Sequence, residues 1–225
     1  MLPTLIIIYL TSILAATLVG VVRFRFLTAP AKVITTLLFT TFISESLSIY
    51  VSRMHINNEP VFHFYVIVSF LLYALIYFYL LKQSKLRMIF LLISVFFTLF
   101  CVFDSLFYQK LLTFPSMNII LNNVMLVGFS LFYFKYLIDI NPFEPLKKNS
   151  SFLFNVSVLS YFSIQIFIWG ILNYMLRNKI SFGIFTNFST YISITYYIVL
   201  GVVILLDPKT KKEAPEASQQ KNERS

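Results

Sequence analysis

The residue that most directly suggests chemistry is a glutamate inside an apolar run. Glu45 lies in the stretch 31–52, seven residues before Ser52. At 1.5 Å per helical residue that puts it ~10 Å in from the end of the stretch. A carboxyl group at such depth in apolar surroundings must be neutral, ion-paired or facing water. Thr41, Ser44 and Ser48 lie within a turn of it and extend a polar stripe. An ionisable residue in such a setting is by default a functional-site hypothesis. The plainer alternative is a neutral Glu hydrogen-bonded to a neighbouring helix, a task that Gln or Ser would perform at lower cost.

Further candidates share its depth. His63 and Tyr65 open the stretch 61–81, and His63 can donate, accept or charge near neutral pH. Asp104 stands three residues from the end of the stretch 88–107, where a snorkelling or loop acid near the surface is expected. Asn122 and Asn123 follow in the fifth stretch. Ser160, Ser163, Gln165, Trp169 and Asn173 are in the sixth, and Asn187, Ser189, Thr190, Ser193 and Thr195 in the seventh. Asn155 lies toward the opposite end of the sixth. Spans that are polar toward one end and apolar toward the other suggest a cavity opening at the polar end. Its expected ligand-binding set is Glu45, His63, Tyr65, Gln165, Trp169 and Asn187. The alternative is ordinary interhelical hydrogen bonding by small polar side chains.

The elements that must position these groups follow from composition. The chain is 58% hydrophobic and 12% charged, with 26 Phe and 14 Tyr, and its mean hydropathy is +0.81. A soluble domain carries about 25% charged residues. Only a bilayer suits such a surface, and there the backbone must satisfy itself as helices or closed barrels. Seven apolar segments of about the ~20 residues a span needs occupy 2–22, 31–52, 61–81, 88–107, 117–138, 151–175 and 183–206. The predicted fold is therefore all-α, a polytopic transmembrane bundle of seven helices over 1–206. Pro30, Pro60, Pro115, Pro142 and Pro145 fall at or beyond segment ends, where they disturb a helix least. Residues 207–225 are Lys, Glu, Gln, Ser and Pro without an aromatic ring, which predicts a disordered tail.

Charge gives the expected orientation. Of the 18 Lys and Arg residues, 14 fall in the first, third and fifth connections and the tail, and only Arg53, Lys110, Arg177 and Lys179 in the others. The positive-inside rule then predicts a cytoplasmic tail and an N-terminus outside. The first apolar segment lacks the basic n-region of a signal peptide, because the first basic residue is Arg23. The net charge of +9 is accounted for by topology and by anionic lipid headgroups rather than by nucleic acid. Cys101 stands alone within a span, so no intramolecular disulfide forms and packing is its expected role.

Several functions lack their residues. The seventh segment has no Lys for a retinal Schiff base, and two separated His with one Cys make no zinc or haem site. A Walker-type phosphate loop and a His-Glu-x-x-His pair are both missing. No resident cofactor or metal is expected.

The run Asn57-Asn58-Glu59-Pro60-Val61-Phe62-His63-Phe64-Tyr65, with Glu45 upstream, resembles a family of small seven-helix membrane proteins of Bacteroidota. Phe103-Asp104-Ser105, Asn141-Pro142-Phe143, Asn155 and Tyr161-Phe162 extend the resemblance to about Leu206. The family pattern has a carboxylate where Ser69 stands, a second acid near Asn122 or Asn123, and a His near Asn187. The resemblance implies a bacterial inner membrane, a sensor kinase (a neighbour of some members) or another signalling partner, and no particular chemistry. These readings make a ligand- or lipid-binding sensor the leading expectation. A lipid-modifying membrane enzyme with Glu45 as general base, assisted by His63 or Asp104, comes next. A small transporter comes third, because matching Gly- or Pro-interrupted spans are missing.

Overall fold

The computed structural model describes residues 3–108, 110–140, 150–178 and 183–207. Seven α-helices run through them: α1 (Pro3–Arg23), α2 (Ala29–Arg53), α3 (Glu59–Leu80), α4 (Ser84–Phe107), α5 (Ser116–Ile140), α6 (Ser150–Arg177) and α7 (Gly183–Leu205). A short 3-10 turn, Phe24–Phe26, leads from α1 toward α2. All seven helices are long and apolar enough to cross a membrane, and the chain is a multi-pass helical membrane protein. The Asn-Pro-Phe-Glu-Pro turn (141–145) lies outside the described residues.

The helix starts differ from the expected segments for identifiable reasons. Pro30 and Pro60 sit inside the first turns of α2 and α3, where their missing N–H has no helical acceptor to lose. α4 starts at Ser84 and so takes in Lys85 and Arg87. The Arg87 guanidinium lies 5.2 Å over the Phe78 ring, and its Nε donates to the Leu81 carbonyl at 2.6 Å. Long basic side chains of this kind reach back to the interface while their stems stay apolar. α2 ends through His55, whose φ of 59° places it in the left-handed region that closes a helix.

Packing follows chain order with one exception. α1, α2, α3, α5, α6 and α7 form a closed ring in which α7 returns to pack on α1. α4 lies outside that ring against α3, and Phe90 also meets Phe129 and Phe132 of α5 at 4.2 and 5.5 Å. Only 22% of the apolar stretch of α4 is buried, against 44% for α3, so α4 presents most of its surface to lipid. α1 and α2 approach closely at Gly20, where an added Cβ would collide with the Thr35 side chain. Small residues permit such contacts between membrane helices.

The end of the ring near the close of α1, α3, α5 and α7 is densely tied. Asn155 is fully buried and takes the Tyr77 hydroxyl on Oδ1 at 2.9 Å. Its amide donates to the Ser130 carbonyl at 3.0 Å, and the Ser130 hydroxyl is 2.9 Å from its oxygens. Asp207 corrects the expected tail boundary. It is 3% exposed, and its carboxylate accepts the Thr28 N–H and hydroxyl, each at 2.7 Å. A carboxylate from beyond α7 thus caps the start of α2. Arg23 reciprocates by donating to the Leu205 carbonyl at 3.0 Å. Both contacts match helix polarity, with negative charge at an N-terminus and positive at a C-terminus. The rest of the expected tail, 208–225, lies outside the described residues.

Candidate ligand-binding cavity

The opposite end of the ring encloses a cavity of about 460 Å³, within the range of small-molecule sites. It is lined by the starts of α1, α3, α5 and α7, the closing halves of α2 and α6, and Phe114 from the α4–α5 connection. Successive helices run in opposite directions, so these segments share one end of the bundle. Arg23, Lys32, Lys82, Lys85 and Lys135 lie at the other.

Helical spacing explains which side chains reach the cavity. On α3 these are Phe62, Tyr65, Val66, Ser69 and Tyr73, and on α7 Thr186, Ser189, Thr190, Ser193 and Tyr197. Both sets step by three or four residues, which keeps them on one helix face. Glu45 and Ser48 do the same on α2, as do Tyr161, Gln165, Trp169 and Leu172 on α6.

Glu45 is half-buried on this wall. Tyr9, Tyr65, Tyr161 and Tyr197 share this wall with it. No Lys, Arg or His is among the lining residues, so the carboxyl group has no cationic partner in the wall. The tyrosines are themselves positioned. Thr41 spends its proton on the Leu37 carbonyl at 2.7 Å, so the Tyr65 hydroxyl donates to Thr41 at 2.9 Å. Ser193 likewise donates to the Ser189 carbonyl, and Tyr161 donates to Ser193 at 3.1 Å. The Tyr161 and Tyr196 rings stack at 4.1 Å, and the Tyr196 and Tyr73 hydroxyls are 2.7 Å apart. Gln165 and Ser189 exchange hydrogen bonds at 3.2 Å.

Two groups on the wall are left open. Asn122 donates to Asn123 at 3.2 Å, but Asn122 Oδ1 and Asn123 Nδ2 are buried without a partner. Buried polar atoms are nearly always paired. One acceptor and one donor within the residues of the cavity wall thus stay unpaired.

Four of the six expected site residues, Glu45, Tyr65, Gln165 and Trp169, line this cavity, and His63 and Asn187 do not. His63 is 4% exposed and points into the α3–α4 contact. Its Nε2 donates to the Thr113 carbonyl at 2.8 Å, which leaves Nδ1 to accept from the Ser105 hydroxyl at 2.8 Å. A carbonyl can only accept, so this assigns the tautomer of the neutral ring. Phe114, the next residue after Thr113, stacks on Trp169 at 5.2 Å and meets Phe62 at 5.6 Å. His63 thus anchors the connection that carries an aromatic wall of the cavity. Asn57 helps by donating to the Leu112 carbonyl at 2.9 Å. Asn187 is only half-buried overall, yet its Oδ1 is buried without a partner, off the lining face. Asp104 departs from the expected surface acid: it is 6% exposed within the last turns of α4. The side chain of Asn173 lies outside the described residues.

Tyr9, Tyr161 and Tyr197 also line the cavity, beyond the expected set. Tyrosines in apolar spans are usually packing residues, and only their matching depth on α1, α6 and α7 would have singled them out. Fold and cavity together define a multi-pass helical membrane protein with a polar and aromatic chamber at one end of its ring. Comparison with protein-family models, curated proteins and solved structures gives no match.

Proposed function

We propose that this protein is a seven-helix receptor of a bacterial inner membrane. It binds a small ligand or a lipid group in the cavity and acts through a partner. The observation that carries this reading is a chamber of about 460 Å³ whose described lining holds one carboxyl group and no cation to pair with it. An occupant that pairs with that group would offset the cost of its desolvation. The basic residues gather at the other end, which supports an outward-facing chamber, an outer N-terminus and an inner tail. A ligand touching all six ring helices would favour the arrangement in which they close on it, and so shift a population. The resemblance of the Asn57–Tyr65 run to proteins neighbouring sensor kinases supports such a kinase as the receiver.

The enzyme reading has less support. Of Glu45, His63 and Asp104, only Glu45 lines the chamber, and both His63 nitrogens are engaged elsewhere. General acid–base work needs its groups within reach of one substrate.

Cysteine accessibility tests the receptor reading. In a Cys101→Ser background, Ser189→Cys should react with a membrane-impermeant maleimide in right-side-out vesicles, and Ser218→Cys only in inverted ones. Reaction of position 189 from the inner side alone, or from neither side, would overturn it. Reconstitution with a candidate kinase then tests signalling: filling the chamber by Ser193→Trp should abolish any response of kinase autophosphorylation.

A further inference from the structure

The charge and shape of the chamber narrow what it can hold. Among the described residues lining the chamber, Glu45 is the single carboxyl group and none is basic. An anionic occupant, such as a fatty acid or a phosphate, would find no cation among the described lining residues to offset it, and beside an ionised Glu45 it would meet like charge. A bare metal ion would need several oxygen ligands around it, and among the described residues no three His, Cys, Asp or Glu side chains come together. The rest of the wall is aromatic. Tyr9, Tyr65, Tyr161 and Tyr197 line the same chamber, and Trp169 and Phe114 of its wall are stacked on each other. Ring faces attract organic cations, and quaternary ammonium groups are recognised by such aromatic cages.

We propose that the occupant carries a small organic ammonium group, with Glu45 as its counter-ion and the four tyrosines as its cage. The inference rests on the receptor reading and adds the chemical class of the ligand. The ammonium can come from a free amine or from the headgroup of a zwitterionic lipid that reaches in between helices.

The test uses the full chain in nanodiscs made of phosphatidylglycerol alone. Trp169 is the only tryptophan of the chain and lies on the chamber wall, so its emission reports occupancy. Choline and phenethylamine are titrated beside neutral counterparts, dimethylbutanol and phenylpropanol. The cations should shift Trp169 emission saturably, with the neutral molecules at least about tenfold weaker, a preference that an unscreened carboxylate readily supplies. Glu45→Gln should remove that preference. Adding phosphatidylethanolamine to the disc separates the sources. Weakened amine binding identifies a lipid headgroup, and unchanged binding a free amine, and both agree with the proposal. Equal binding of cations and neutral molecules to the native chain would overturn it while leaving a ligand-binding chamber in place. Retention of the cation preference in a folded Glu45→Gln protein would also overturn it, as would the absence of any saturable response to both cations. If Glu45→Gln fails to fold, the comparison of cation with neutral molecule on the native chain decides alone. The receptor reading fails separately, through the accessibility of position 189.

Discussion

His63→Ala should loosen the chamber wall without removing anything that a ligand touches. The side chain is 4% exposed and makes hydrogen bonds of 2.8 Å to Ser105 and to the Thr113 carbonyl. Each bond is worth about 1 kcal/mol net. Thr113 is exposed, so its carbonyl regains water and adds little further penalty. The void left by the imidazole adds to the loss, and the whole change is about 2–4 kcal/mol. Part of it should appear locally, because among the described residues the lost contact is one of two side-chain hydrogen bonds that reach 110–115 from α3 and its approach. Asn57 supplies the other through the Leu112 carbonyl. Thermal unfolding in detergent gives the global cost. Amide exchange at 110–114 and Trp169 emission give the local one, since Phe114 stacks on Trp169. Exchange should quicken and the emission should shift, and Asn57→Ala should do the same more weakly. An unchanged loop and unchanged emission in a destabilised His63→Ala protein would refute the anchoring role. Loss of amine binding with an undisturbed loop would instead make His63 a ligand contact.

The other end of the ring offers two sharper stability tests. Asp207→Ala removes two bonds of 2.7 Å from the start of α2 and should cost about 1–2 kcal/mol, read as a lower midpoint of thermal unfolding. Asp207→Asn keeps an acceptor and should recover part of the loss, and equal midpoints for all three would exclude the capping role. Gly20→Ala should cost about 1–3 kcal/mol through its collision with Thr35. Thr35→Ala should relieve part of it, since the Cβ at position 35 remains 2.9 Å from the added carbon, and a double-mutant cycle measures that relief as coupling between the two sites.

The seven spans were legible because length and hydropathy are properties of whole segments, indifferent to which face each residue takes. The cavity depends on faces, and there sequence reading divided. Depth alone selected His63 along with Tyr65, and Asn187 along with Ser189. The lining faces run 62, 65, 66, 69, 73 on α3 and 186, 189, 190, 193, 197 on α7. His63 and Asn187 each follow a lining residue by one position, about 100° around the helix, and so face a neighbour instead. The three-four spacing was available in the sequence, but choosing the inward stripe required knowing which helices adjoin. Many small polar residues in the spans say less than their number suggests. Thr17, Thr35, Ser94 and Thr190 each return their proton to a carbonyl one turn earlier, a use that needs no partner helix. Asp207 was misjudged for a different reason. Composition assigned it to the tail, whereas one carboxylate placed at a helix start is a single contact that composition does not register.

The two ends of the ring are built on opposite principles, and that contrast bears on how a receptor of this form would work. At one end Asn155, Ser130 and Tyr77 satisfy one another, Asp207 and Arg23 cross-cap α2 and α7, and rings such as Phe90 and Phe129 pack at 4.2 Å. At the other end the helices stand apart around a chamber with polar atoms still unpaired. A closely packed end resists deformation, because packed side chains have few alternative arrangements. Helices drawn together by an occupant would therefore tilt about the packed end rather than bend throughout. The 24–28 connection and Asp207 lie just beyond that pivot, coupled to α1, α2 and α7 by the cross-caps. A small closure around Glu45 would reach the membrane face on the basic side as a change in the relative angles of these three helices, and such an angle is a signal that a partner bound there could read.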